Sequence, residues 1–366
     1  MDEARDIAKL ALPFTAGTFL ISCFSLGINH TYAIAAASLT LLSLGISLTL
    51  YRSNLGRTIN LWEIVAIGVI TGIFIKSSDS LISLTQSETS WINATTAQLG
   101  LRMQAWIDQI PFQSEDTNAI IKALLTGNRK AIPKEVIDAF RASGASHILA
   151  LSGLHLGIIY LIISKLTSII GGSPKARIAR SLICIAICTI YSLATGAGAS
   201  IIRALIFIII REVGKILHRT TDLKHTLLSC LLIHLIINPS DISSVGFQLS
   251  YAAIAGIAWI HPRISGLWPD EEEGQRPIMK RIWESASVSI SCQLTTGPLA
   301  WFYFGTFPKY FLLTNLISLP LTALIIPIAL LTTMLSAIGI CPGILIQATE
   351  LLVNALSSSL TIIAGL

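Results

Sequence analysis

The chain has 366 residues, of which 53% are hydrophobic and 12% charged, and its mean hydropathy is +0.72. These values lie outside the usual range of soluble domains and exclude a soluble globular core. The formal net charge of +5 is small enough to come from basic loops that orient membrane helices, so it is weak support for a nucleic-acid partner. We therefore expect a polytopic membrane protein.

Apolar runs long enough to cross a membrane recur along the chain, taking about twenty residues as one crossing. They cover residues 9–28, 31–50, 61–78, 146–170, 178–195, 199–217, 222–237, 242–260, 282–304, 310–340 and 344–366. The run 310–340 contains Pro320 and Pro327 and is too long for one straight helix, so a kink or a break is expected there. The prediction is an all-α polytopic membrane protein with about ten or eleven transmembrane helices, some of them broken or re-entrant.

Basic residues in short loops predict the orientation, because cytoplasmic loops carry an excess of Lys and Arg. With a cytoplasmic N-terminus, the inside loops hold Arg52, Arg57, Lys175, Arg177, Arg180, Lys215, Arg219, Lys224, Arg263, Arg276, Lys280 and Arg281. The outside turns then hold only Lys309. This asymmetry predicts that the N-terminus lies in the cytoplasm, and the start MDEARDIAKL is interpreted as leading into a first crossing and not as a removable signal.

One long polar segment, residues 79–145, interrupts the runs and lies outside by this orientation. Its part TSWINATTAQLGLRMQAWIDQI has the tryptophans and the spacing of an interfacial amphipathic helix. Two short helices are predicted after it. They run from Glu115 to Thr126, ended by Gly127, and from Pro133 to Arg141, ended by Gly144.

The stretch RASGASHILALSGLHLGIIY places polar side chains inside an apolar run. Ser152 and His155 share one face of an α-helix, and His147 lies about two turns earlier with a small offset. Two glycines in the same stretch, Gly153 and Gly157, predict a notch where a neighbouring backbone approaches. Because polar groups at bilayer depth face a bundle interior or an aqueous path, this helix either lines a pathway or hydrogen-bonds a neighbouring helix.

Other polar residues inside the runs leave the same two interpretations open. Arg203 lies about one turn inside its run, so it either meets an anionic substrate in a cavity or extends to the outer headgroups. Gln248, Gln293 and Asn315 either bond neighbouring helices or, with Ser152 and His155, line one wet route.

Four ordered segments resemble the competence domain of the ComEC-type competence protein family, the inner-membrane DNA-uptake channel of bacterial transformation. They are ALLTGNRKAIPKEVIDAFRASGASHILALSGLHLG, ATGAGASIIRA, NPSDISSVGFQLSYAA and QLTTGPLAWFYFGTFPKYFLLTNLISLPL, within about residues 120–335. The resemblance implies a channel for single-stranded DNA in the bacterial cytoplasmic (inner) membrane.

By this resemblance the motif residues shape the channel or its gate. Those residues are Ser152, Gly153, His155, Arg203, Gln248, Asn315 and Pro320. With His147 and Gln293 they are our candidates for the DNA path. Arg203 is expected to meet phosphate, whereas Ser152 and His155 are expected to be structural or lining groups.

Longer family members carry an outer oligonucleotide-binding β-barrel and a metallo-β-lactamase-like domain. Here residues 79–118 are too few for such a barrel, and neither an HxHxDH metal cluster nor a GxxxxGK[ST] phosphate loop is present. We therefore expect no enzymatic activity, no cofactor and no metal site. The expected partners are single-stranded DNA, the lipid bilayer and separate DNA-receptor, nuclease and ATPase or helicase proteins, and the oligomeric state stays open, a homo-oligomer included.

The expected division of the chain has four parts. Residues 1–80 form N-terminal transmembrane helices, 81–145 outer-side amphipathic and short helices, 146–340 the competence-type channel domain and 341–366 a C-terminal transmembrane helix. Two alternatives remain: a transporter of another anion that uses Arg203, and an intramembrane serine hydrolase with Ser152 as nucleophile. The second is disfavoured because a spacing of three residues predicts poor geometry between Ser152 and His155.

Overall fold

The computed structural model describes residues 2–24, 69–71, 73, 90–218, 222–268 and 277–366, and all regular secondary structure of this part is helical. In chain order its α-helices are α1 (Asp2–Phe24), α2 (Ser90–Asp108), α3 (Glu115–Thr126), α4 (Lys134–Ala142), α5 (Ser146–Leu149), α6 (Gly153–Leu166), α7 (Pro174–Ala194), α8 (Ala199–Ile216), α9 (Leu223–Ile237), α10 (Val245–Ala255), α11 (His261–Ser265), α12 (Pro277–Phe304), α13 (Phe311–Ala337) and α14 (Gly343–Ala364). Two 3-10 turns, Thr167–Ile170 and Pro239–Ser243, and a π-helical turn, Gly256–Ile260, complete the set.

The apolar runs predicted from the sequence are mainly helical where the structure describes them. Runs 31–50 and most of 61–78 lie outside the described residues. Within the described part, four segments are long and apolar enough to cross a membrane: Gly153–Ile170, Pro174–Ala194, Phe311–Ala337 and Gly343–Ala364. The chain is thus a helical membrane protein, while the full number of crossings stays a prediction.

The two short helices predicted in the polar segment are confirmed. Gly127 ends α3 with a left-handed φ of +77°, and its N–H donates to the carbonyl of Ala123 at 3.0 Å. Pro133 precedes α4, and Gly144 follows that helix with φ of +83°. Both glycines occupy backbone conformations that side chains disfavour, which is why the helices end there.

Two predicted helices differ from the structure. Run 146–170 is not one helix, because α5 ends at Leu149 and Ser152 adopts an extended conformation before α6 begins at Gly153. Of the kink or break expected in run 310–340, the break is wrong, since the single helix α13 contains both Pro320 and Pro327, while the kink stays a prediction. Neighbouring helices in a membrane bundle re-satisfy the backbone groups that a proline frees.

The chain divides into two compact units. The first comprises Met1–Ser90 and Leu217–Tyr251, and in it α1 packs against α9 and the turn Pro239–Ser243. The second comprises Trp91–Ile216 and Ala252–Leu366 and contains two apolar cores. One core joins α3, α4 and α5 to α13 and α14, and the other joins α6, α7 and α8.

The segment from Trp106 to Ser143 is tied to both ends of α13. Ser336 donates from its Oγ to the carbonyl of Trp106 at 3.2 Å, and Thr314 donates from its Oγ1 to the carbonyl of Ser143 at 2.7 Å. Between these two anchors, most side chains of α3 are buried in the core that contains Ile325 of α13. Of the predicted outer-side helices, α3 is therefore largely buried in the second unit, whereas α4 buries only Phe140.

Gly100 marks a close helix contact and gives the first prediction. A Cβ atom at Gly100 would overlap the carbonyl oxygen of Ala194, whereas one at Gly157 would meet nothing within 4 Å among the described residues. The notch expected at Gly157 is thus absent in this part of the chain. We expect Gly100→Ala to destabilise the protein by about 1–3 kcal/mol and Gly157→Ala to stabilise it by about 0.5–1 kcal/mol, because alanine favours a helix.

Thermal unfolding in detergent measures both variants on the same scale. The two substitutions add the same methyl group within a helix, so Gly157→Ala is the matched control. Equal unfolding temperatures would show that α2 and α7 do not pack at Gly100.

Candidate functional site

Four of the predicted site residues meet at the first turn of α6. Ser152, Gly153 and His155 form this turn, and Arg203 reaches it from α8. A Cβ atom at Gly153 would lie 3.8 Å from Nη2 of Arg203, so the guanidinium lies beside the start of α6. The side chain of Arg203 is only 4% exposed, and its Nη2 donates to Oγ of Ser200 at 3.1 Å. We call these four residues the α6 N-terminal site.

Ser152 caps α6 together with His155. The extended backbone of Ser152 lets its Oγ accept from the N–H of Leu154 at 3.3 Å. In return, the N–H of Ser152 donates to Nδ1 of His155 at 3.2 Å. This reciprocal arrangement is a capping box in which histidine takes the place usually held by Glu or Gln, and it fixes where α6 begins.

The same bonds determine which ring nitrogen of His155 carries the proton. The backbone N–H of Ser152 can only donate, so Nδ1 must be the acceptor and a neutral ring is protonated at Nε2. His155 is only 1% exposed, and its Nε2 has no hydrogen-bond partner among the described residues. The site therefore contains a buried N–H group directed into the protein interior.

Ser152 and His155 are closer than the sequence predicted. Oγ of Ser152 lies 3.0 Å from Nδ1 of His155, so the expectation of poor geometry is wrong. That expectation assumed a continuous helix, whereas Ser152 is the cap residue and its side chain folds over the first turn. A hydrolase would also need a group that orients the histidine, and no carboxylate of the described residues bonds Nε2.

The chemistry of the site suits an anion. A helix N-terminus carries a partial positive charge that attracts anions, and at α6 this charge acts without the N–H groups of Ser152 and Leu154, which bond within the cap. Arg203 adds a full positive charge at the same end of α6, within an apolar bundle where burying a cation is costly. The geometry therefore favours binding of an anionic group over hydrolysis.

The other predicted site residues lie on different elements. His147 is exposed on α5, and its Nδ1 lies 3.2 Å from the carbonyl of Gly144. Gln293 lies on α12, and Asn315 and Pro320 lie on α13, which packs against both α12 and α6.

Gln248 belongs to the first unit, where its Nε2 donates to the carbonyl of Ile242 at 2.9 Å.

A buried carboxylate on α8 escaped the sequence analysis. Glu212 is 3% exposed and accepts hydrogen bonds from the hydroxyl of Tyr160, from Oγ of Ser181 at 2.6 Å and from Nζ of Lys215 at 2.6 Å. These partners come from α6, α7 and α8, so the cluster ties the three helices together. An acidic residue within a predicted crossing was the signal that could have revealed it.

A second polar cluster lies in the first unit within the motif NPSDISSVGFQLSYAA. Asp241 accepts from Nδ2 of Asn238 at 2.9 Å and lies 2.9 Å from Nε2 of buried His234. Nδ1 of His234 lies 3.2 Å from the hydroxyl of Tyr251. The polar residues of this motif thus hold the end of α9 against α10. Among the described residues, no group of His, Cys, Asp and Glu is arranged to hold a metal ion.

Comparison with known proteins identifies a family. The family model described as Competence protein matches residues 124–366, more than half of the chain. ComE operon protein 3 of Bacillus subtilis (strain 168) is 24% identical over 212 residues, which are 58% of this chain and 25% of that protein. The uncharacterized protein YcaI of Escherichia coli (strain K12) is 24% identical over 233 residues, which are 59% of this chain and 29% of that protein. The chain thus matches under a third of either curated relative, and no solved structure matches it significantly.

Proposed function

Because the chain belongs to the competence protein family, we propose that it forms a channel that carries single-stranded DNA through the bacterial inner membrane during natural transformation. A DNA strand carries one charge per phosphate, and a single charge at the bilayer centre already costs about 3 kcal/mol on insertion scales. Such a substrate needs a polar path through the helices. The basic loops support a cytoplasmic N-terminus for this channel.

The observation that carries the proposal is the position of Arg203. Its buried guanidinium lies at the N-terminus of α6, where the helix dipole adds to its positive charge. Both features favour a phosphate at this point.

The matched part covers 25% of the length of ComE operon protein 3, so the other steps of uptake are not assigned to this part of the chain. We propose that a DNA receptor, a nuclease and a cytoplasmic ATPase or helicase act beside this chain, which is itself no enzyme. A homo-oligomer is compatible with the same role.

One observation favours a second candidate, a transporter of another anion. The α6 N-terminal site contains a single guanidinium, Arg203, which suits one small anion as well as one phosphate of a strand. A channel too narrow for a nucleotide would favour this candidate.

Deletion of the gene in its own host tests the proposal. We expect transformants with marker DNA to be lost while DNA binding to the cell surface persists, and the wild-type gene to restore them. Unchanged transformation, in a host shown to be competent, would refute the DNA channel and favour the anion transporter.

A further inference from the structure

The buried face of α13 carries polar atoms for which the described residues offer no hydrogen-bond partner. They are Oδ1 of Asn315, Oγ of Ser318 and Oγ1 of Thr322. Spacings of three and four residues put them on one face of the helix. Ser318 and Thr322 are fully buried, with 0% exposure.

Other buried hydroxyls of this helix behave differently. Thr332 donates to the carbonyl of Ile328 at 2.8 Å, and Thr333 donates to the carbonyl of Ala329 at 2.7 Å. Hydroxyls in helices commonly bond the carbonyl one turn back in this way. Ser318 and Thr322 have the same kind of carbonyl one turn back, but their hydroxyls form no such bond.

A buried polar atom without a partner needs an explanation, and water or a polar ligand is the usual one. Inside a membrane bundle, polar groups that face inward mark aqueous or substrate paths. The next turns of the same face, Ile325 and Ala329, are apolar and pack in the core with α3 and α14. The polar and the dry parts of α13 therefore meet between Thr322 and Ile325.

We infer that the face of α13 from Asn315 to Thr322 is a hydrated wall that binds water and, during translocation, the sugar and phosphate oxygen atoms of the strand. Binding of the strand depends on the proposed DNA channel, whereas binding of water does not. Helix α13 packs against α6, whose His155 contributes another buried and unpartnered N–H group within the described residues. Ser318 and Thr322 thereby join the candidates for the path.

Cysteine labelling tests the wall directly. Single cysteines replace Ser318, Thr322, Ile325 or Ala329 in a protein whose native cysteines, Cys23, Cys184, Cys188, Cys230, Cys292 and Cys341, are changed to alanine. A small charged methanethiosulfonate reagent reacts with the thiolate form of a cysteine that water reaches. A dry site raises the thiol pKa, and each unit of that increase lowers the thiolate fraction about tenfold. We expect the thiols at 318 and 322 to react at least about tenfold faster than those at 325 and 329.

Equal reaction rates at all four positions would overturn the hydrated wall. Ser318→Cys and Thr322→Cys change little in volume, and gel filtration in detergent verifies that each variant is folded. A single-stranded oligonucleotide, added before the reagent, distinguishes the two ligands. Slower labelling at 318 and 322 would support binding of the strand to this face of α13. Unchanged labelling would contradict binding of the strand and leave water as the ligand. If labelling at 318 and 322 is fast but deletion of the gene leaves transformation intact, the DNA channel is refuted and the hydrated wall is still supported.

Discussion

Arg203→Ala is expected to lower the transformation frequency about 10- to 100-fold while the protein remains in the membrane. A hydrogen bond from a charged group is worth about 1.5–3 kcal/mol, and about 1.4 kcal/mol is a factor of ten. Removal of the guanidinium leaves the helix dipole of α6 alone to attract a phosphate. Transformants per viable cell, with membrane content measured by immunoblot, give the result.

Arg211→Ala provides a matched control for this prediction. Arg211 lies on the same helix, is exposed, and places its guanidinium carbon 5.7 Å from the centre of the Tyr160 ring. Its removal changes the net charge equally but leaves the α6 N-terminal site intact, so near-normal uptake is expected. Arg203→Lys keeps the positive charge but lacks the planar guanidinium, so its transformation frequency should lie between those of Arg203→Ala and the wild type. Normal transformation by Arg203→Ala would exclude Arg203 from the path.

Short sequence patterns predict much of the local structure of this chain. Gly127 and Gly144 end α3 and α4 as expected, because left-handed glycines terminate helices independently of distant contacts. The break before α6 was missed, since the cap at Ser152 lies within a continuous apolar run and uses His155 as its second member. Hydropathy identifies the run but is insensitive to a cap inside it.

The candidate site could be predicted in part. The motifs identified Ser152, Gly153, His155 and Arg203 one by one, and the family match confirms the resemblance on which they were chosen. Their meeting at one helix end depends on how closely α8 approaches Gly153, which is a property of packing. Glu212 was missed for a related reason, because its partners come from three different helices.

His155→Asn and His155→Ala are expected to separate the two roles of this histidine. Oδ1 of asparagine lies near the position of Nδ1 and can accept from the N–H of Ser152, so the cap and the stability of the protein should persist. His155→Ala removes the acceptor and loses the cap, at a cost of about 0.5–2 kcal/mol. Thermal unfolding in detergent therefore ranks His155→Asn near the wild type and His155→Ala below it.

Uptake is expected to show a different order. His155→Asn lacks the buried N–H of Nε2, so transformation should fall about tenfold in a protein of normal stability, as expected for one lost hydrogen bond of about 1–1.5 kcal/mol. His155→Ala loses both the acceptor at Nδ1 and the N–H at Nε2, so its unfolding temperature and its transformation frequency should both fall. Full transformation by His155→Asn would show that His155 serves only to start α6. The interior N–H would then have no part in binding the strand, and Arg203 would be left as the residue at this helix end that contacts it.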